Sequence, residues 1–168
     1  MEQKQTSSTG MIAVIRLKGE VDVPSDVEHA LQLLGLRSRH SCVVLRDSPS
    51  LRGTLSVVKD WIAWGEIDGE TLLLLLRGRG RLSGGRPLTD DAVKASGWNS
   101  LEEFVNDLMQ GKASLKCGGR GRCLKGLKPF FRLHPPKGGL KGIKASYGNG
   151  GDLGYRGSGI NELLRRMI

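Results

Sequence analysis

The chain has little of what staples a secreted scaffold or carries a protein across a membrane. Of its 168 residues only three are cysteine (Cys42, Cys117, Cys123), six are proline, and 5% are aromatic. An odd and small number of thiols does not suit a disulfide framework, so reduced cysteines are the simplest expectation. Apolar runs stop at five residues, as in Leu72–Leu76, whereas a membrane-spanning helix needs roughly 18 or more. Residues Met1–Gly10 are polar and lack an apolar stretch followed by a cleavage site, so no secretory signal is expected and a cytosolic protein is. Signatures of hydrolase, nucleotide or metal sites are also missing, and His29, His40 and His134 are scattered.

What is abundant is positive charge, and it is confined. The chain carries 26 Lys and Arg against 17 Asp and Glu, a net of +9. Residues 1–110 hold 13 basic and 15 acidic groups, while residues 111–168 hold 13 basic groups against only Asp152 and Glu162. The last third also has 14 of the 25 glycines. A basic, glycine-rich segment that still carries Phe130, Phe131, Leu133, Tyr147 and Tyr155 points to an arm laid along a polyanion, with nucleic acid favoured over an anionic membrane surface. Its excess of eleven charges predicts an arm that is mobile until RNA orders it.

The first 67 residues read as alternating elements. Met11–Lys18 is a buried strand, and Pro24, Ser25 and Asp26 open a helix that Gly35 stops. His40–Arg46 is a second strand, a helix follows from Ser50, and Trp61–Ile67 is a third strand. This β-α-β-α-β order predicts an α+β, ferredoxin-like core over 11–67: a three-stranded antiparallel sheet, two helices on one face, the other face free to bind. Residues 1–10 are expected to be a disordered N-terminus and 68–110 a helical insertion, with helices over Asp68–Arg77, Thr89–Ala95 and, by its capping-box pattern, Ser100–Met109. Residues 111–168 form the extended basic arm, ending in a short helix over Ile160–Ile168.

Candidate contacts follow from phosphate chemistry. Alternating glycine in Arg77-Gly78-Arg79-Gly80-Arg81 would let three guanidinium groups approach one phosphate track. Arg52 and Gly53 open the second helix, where backbone N–H groups favour an anion. Lys137, Lys141 and Lys144, separated by glycines, suit a phosphate-tracking loop. Trp61 and Trp64 fall on opposite faces of a strand, one of them in the core and the other able to stack on a base. Cys117 and Cys123, in a glycine and arginine loop, could join His134 on zinc, but a fourth ligand is missing and plain thiols are the preferred reading. The paired carboxylates Asp90/Asp91 and Glu102/Glu103 lie in first helical turns, where capping explains them.

Several segments, taken in order, resemble one family. They are 47–53 (DSPSLRG), 58–68 (VKDWIAWGEID), 77–82 (RGRGRL), 131–136 (FRLHPP), 141–144 (KGIK), 153–157 (LGYRG) and 160–168 (INELLRRMI). Together they resemble the large-subunit ribosomal proteins numbered thirty in bacteria and archaea and seven in eukaryotes, over about residues 11–168. The resemblance implies a structural, non-catalytic protein of the cytoplasmic large ribosomal subunit, without cofactor or small-molecule substrate. It would bind 23S-type rRNA, with 5S rRNA and other large-subunit proteins as neighbours. The insertion and arm are similar to archaeal and eukaryotic forms, and the short stretch before the first strand favours an archaeal source. RNA contacts would fall on Arg52, Gly53, Lys59, Arg77, Arg79, Arg81, Arg132, His134, Lys137, Lys141, Lys144, Tyr147, Tyr155, Arg156, Arg165 and Arg166. The rival readings are an RNA chaperone or RNA-modification subunit acting outside the ribosome, and a small-ligand or enzymatic domain on the same fold.

Overall fold

The computed structural model describes residues 10–119 and 121–168; the expected disordered N-terminus, apart from Gly10, lies outside them. Strand β1 (Met11–Arg16) is MIAVIR, apolar at odd and even positions alike, and all six residues are buried. It pairs antiparallel on one side with β2 (Ser41–Arg46) and on the other with β3 (Ile62–Glu66). Between them lie α1 (Ser25–Leu34) and α2 (Pro49–Val58). Gly35 closes α1 at φ 81°, a left-handed conformation that disfavours a side chain. Ser48 opens α2 by accepting the Leu51 N–H at 3.1 Å, with Pro49 at the first helical position.

The two faces of β1 fill two cores. Ile12 and Val14 pack with Leu31, Leu55, Val58 and Ile62 beneath α1 and α2. Met11, Ala13 and Ile15 point the other way, into a larger cluster with Leu72, Leu75, Phe104, Phe131 and Leu163. That cluster is built by α3 (Gly69–Arg79), α4 (Asp90–Ala95), α5 (Leu101–Met109) and α6 (Gly159–Met167). The sheet face expected to be free for binding is therefore covered. A strand apolar on both sides needs a layer on each, and the segment 68–110 supplies part of the second.

The sheet has five strands, not three, in the order β6-β2-β1-β3-β7, because the last third of the chain supplies both outer strands. β6 (Phe130–Arg132) pairs antiparallel with β2, and β7 (Gly154–Tyr155) pairs parallel with β3. A three-stranded sheet would leave rows of unpaired N–H and C=O groups on β2 and β3. The basic segment satisfies part of both edges and buries Phe131, Leu133, Leu153, Ile160, Leu163, Leu164 and Met167. The extended arm anticipated from charge and glycine content is thus a folded return over the core. Gly65 marks how close it comes: a Cβ there would stand 2.1 Å from the Gly157 carbonyl oxygen. Asn161 fastens the same junction, donating to the Glu66 carbonyl and accepting from the Asp68 N–H, both at 3.0 Å.

Two short strands complete the fold. β4 (Ala113–Ser114) and β5 (Arg122–Cys123) pair in parallel, and Cys117 and Cys123 are joined by a disulfide with their Cα atoms 5.3 Å apart. This corrects the expectation of reduced thiols and the lesser zinc reading, since neither sulfur is left as a thiolate ligand. Cys42 is the free cysteine among the described residues; it is buried, and burial pushes its thiol up, away from reactivity.

If the C-terminal helix is part of the core, Leu163→Ala should cost about 2–5 kcal/mol in urea unfolding, as a fully buried leucine does; a loss of a few tenths would contradict it. The disulfide should be visible as a mass about 2 Da below that of the reduced chain, and Cys117→Ser should lower stability by about 2 kcal/mol through the freed loop.

Candidate nucleic-acid interface

The segment Arg77–Arg81 ends α3, and its glycines serve the fold. A Cβ on Gly80 would meet the Leu76 carbonyl oxygen at 2.4 Å and Leu88, and one on Gly78 would meet Ile168 at 2.8 Å. Of the three arginines, Arg77 turns to Glu102, while Arg79 and Arg81 stay together. Arg77 pairs with Glu102 at 3.1 Å in an exposed contact, worth little in water. Arg79 donates to the Ile168 carbonyl oxygen at 2.8 Å, and its Nε is buried without a partner. Arg81 donates to the Gly80 carbonyl oxygen at 3.1 Å.

Beyond α3 the chain makes a narrow turn, with the Leu82 N–H donating to the Arg86 carbonyl at 2.7 Å. The turn is fastened to the last third by the Lys128 N–H donating to the Arg81 carbonyl at 2.9 Å. Two residues later β6 begins, so this bond sets Lys128 and Arg132 beside the end of α3. The result is a recess of about 300 Å³ lined by Arg79, Arg81, Lys128, Arg132, Gly85 and Phe130. Four cations and, among the described residues, no Asp or Glu line it. Such a site accepts anionic oxygens. Lys128 was not singled out in the sequence, since only the chain's return places it by Arg81.

A second exposed basic surface follows β6. His134, Lys137, Lys141 and Lys144 are all exposed. The His134 N–H donates to the Met167 carbonyl and Arg166 Nε to the Lys137 carbonyl, at 3.0 and 2.9 Å. Arg166 also bonds the Gly139 carbonyl. These bonds hold the loop against the end of α6, so Arg166 positions the loop's lysines instead of standing free. Lys59, just past α2, is exposed as well.

Other expected contacts face inward or are already engaged. The Arg156 side chain is 7% exposed and pairs at 2.8 Å with that of Asp152, 3% exposed; its guanidinium also lies 4.5 Å from the Tyr147 ring centroid. Arg156, expected to contact RNA, is engaged here in an internal tie, and Tyr147 serves as one wall of it. Burial opposes ionisation of Asp152, but N–H donation from Gly142 and the Arg156 guanidinium outweigh it and hold the carboxyl below its ordinary value. Arg165 donates to Thr71 at 3.2 Å and lies 3.6 Å from both Asp68 and Glu70. Arg52 is exposed but bound to Asp47, whose carboxyl its hydrogen bond holds down. Gly53 faces open space. Tyr155 is 53% exposed, and both Trp61 and Trp64 are half-buried against the α1/α2 core, so neither tryptophan is a wholly buried core residue.

This arrangement has relatives. A model of the ribosomal protein L30p/L7e family matches residues 12–62, from β1 to the start of β3. The large ribosomal subunit protein uL30 of Archaeoglobus fulgidus is 52% identical over 158 residues, covering 94% of this chain and 99% of its own. That of Caldivirga maquilingensis is 50% identical over 169 residues, with 94% and 91% covered. That of Pyrobaculum aerophilum, 45% identical over 177 residues, spans 100% of this chain and 99% of its own. The chain belongs to the L30p/L7e family. The family is generally structural, not enzymatic, and its match to a relative across the whole chain takes in the recess and the basic loop.

The Asp152–Arg156 tie has a pH signature. A carboxyl held below its ordinary value stabilises the fold fully above about pH 4 and loses that contribution as pH falls through its lower folded value. The melting temperature should drop on acidification below about pH 4, and Asp152→Asn should blunt that drop. Arg156→Ala at neutral pH should cost about 3–5 kcal/mol, because it strands a buried carboxylate.

Proposed function

We propose that this chain is a structural constituent of the cytoplasmic large ribosomal subunit that binds 23S-type rRNA, with 5S rRNA and other subunit proteins near it. Family membership supports the ribosomal role, and the recess of Arg79, Arg81, Lys128 and Arg132 is the observation that carries the RNA reading. Its guanidinium and ammonium groups converge with no Asp or Glu side chain lining the recess among the described residues, which suits an anion site. The exposed lysines at 137, 141 and 144, with Lys59 and His134, extend the basic surface. Contacts of this kind neutralise phosphates, and so fix where the protein sits without reading bases. The cost of holding four like charges together in the free protein is relieved when phosphates enter, so binding and local rigidity rise together.

The test is salt dependence on a 23S-type rRNA transcript. With about 6–10 phosphates contacted, affinity should fall roughly 10³- to 10⁵-fold between 50 and 200 mM salt. Replacing both Lys128 and Arg132 with Ala should weaken binding and make the log–log slope shallower by about one to two units. A salt-independent affinity, or a slope unmoved by the double substitution, would remove the recess from the interface.

A further inference from the structure

One surface feature is left over by phosphate binding. Tyr155 lies in β7, directly beside Trp64 in the register, and the two ring centroids are 4.7 Å apart at 49°. The Tyr155 hydroxyl donates to the Glu66 carboxylate, 2.7 and 2.9 Å from its two oxygens. The Arg156 N–H continues the ladder to the Trp64 carbonyl at 2.9 Å. Sheet, tryptophan and carboxylate thus fix the ring from three directions, yet the residue is 53% exposed. A tyrosine whose hydroxyl is already engaged and whose ring is held still offers an apolar π-face at little further entropic cost.

The local charge decides what that face can take. Asp47 and Glu66 stand here with Arg52, which bonds Asp47 and whose charge also reaches Glu66 and Tyr155, while the neighbouring Arg156 guanidinium is spent on Asp152. The neighbourhood is therefore slightly negative and unsuited to a phosphate, unlike the recess. A neutral aromatic ring suits it. We propose that Tyr155, backed by Trp64 and pinned by Glu66, is a stacking platform for one unpaired RNA base. This rests on the RNA-binding reading above and adds to it a distinct kind of contact.

Placement supports the assignment. Phe130, Val43, Val14, Trp64 and Tyr155 form one transverse row across the five strands. The recess borders one end of that row and the platform the other, four strand spacings or about 19 Å apart. Because the hydroxyl is held by Glu66, the platform offers a face without an edge to read, so the base it takes is unpaired but of any identity.

The experiment compares wild type, Tyr155→Ala and Tyr155→Phe on the 23S-type rRNA transcript, with thermal melts to verify folding. Tyr155→Ala should bind about 5- to 150-fold more weakly with an unchanged salt slope, since no phosphate is lost. Tyr155→Phe should recover most of the affinity, and ultraviolet crosslinking should map RNA to the peptide containing residue 155 in wild type. Wild-type affinity in Tyr155→Ala would overturn the platform while leaving the phosphate reading standing; if that variant fails only in assembled subunits, the face meets a protein neighbour instead. Equal losses in the Ala and Phe variants would also overturn it, by assigning the effect to the hydroxyl bond. Failure of wild type to bind the transcript would refute the underlying RNA reading instead.

Discussion

The structure depends on one strand having no polar side. Every residue of β1 is buried, so the strand cannot lie at a sheet edge or face water on either surface. Two neighbouring strands and two covering layers are imposed by those six residues. The first layer, α1 and α2, comes from adjacent sequence. The second needs about a hundred further residues, which is why a chain of alternating elements does not finish at residue 67. The buried Arg16 at the strand's end fits the same constraint: its guanidinium donates to the carbonyls of Lys18, Gly19, Leu36 and Arg37, replacing water with four backbone acceptors.

That constraint also explains which features could be read in advance. The elements of 11–67 follow from local signals, such as Pro24-Ser25-Asp26 as a start, Gly35 as a stop and β-branched runs as strands, and the structure realises them within a residue or two. The second layer is nonlocal. Nothing in the spacing of Phe130, Phe131 and Arg132 says that they pair with Ser41–Val43, and two residues, Gly154 and Tyr155, are too few to register as a strand. Composition misled in the same region. Fourteen glycines and thirteen cations describe a sequence that resembles a polyelectrolyte tail, but twenty apolar residues interspersed among them suffice to bury it. One warning was available in MIAVIR itself, because a strand apolar at both parities cannot leave a face free.

The candidate site was legible in residue type and illegible in direction. Lys137, Lys141 and Lys144 stand out as candidate phosphate contacts by charge and glycine spacing, and Arg132 through the family resemblance; all four are exposed. Arg156 and Arg165 have the same chemistry, yet the first is buried as an internal tie and the second is paired at the surface with Asp68 and Glu70, since one basic side chain does not announce whether an acid waits in the fold. Asp152 and Glu70 are 4 and 95 positions away from those arginines, so one partner was visible in the chain and the other was not. The disulfide falls in the same class: a spacing of six residues admits several loop shapes, and the pairing of β4 with β5 selects the one that brings the sulfurs together.

Glycine in this protein works chiefly for the protein. In the arginine run it lets α3 end against Leu88 and Ile168, and in β3 it lets the C-terminal segment lie on the strand. Each close approach brings one more part of the basic third against the core, and each thereby turns some cations inward and others out. The recess is the consequence. Arg79 and Arg81 leave α3 where Gly80 forces it to end, and Lys128 arrives because its N–H closes a bond to Arg81. Four positive charges gather there not through their mutual interaction, which is repulsive, but because apolar burial and backbone bonding elsewhere hold them together. The stability that burial supplies is what keeps the site loaded with unneutralised charge, and that charge is the driving force left for an anionic partner.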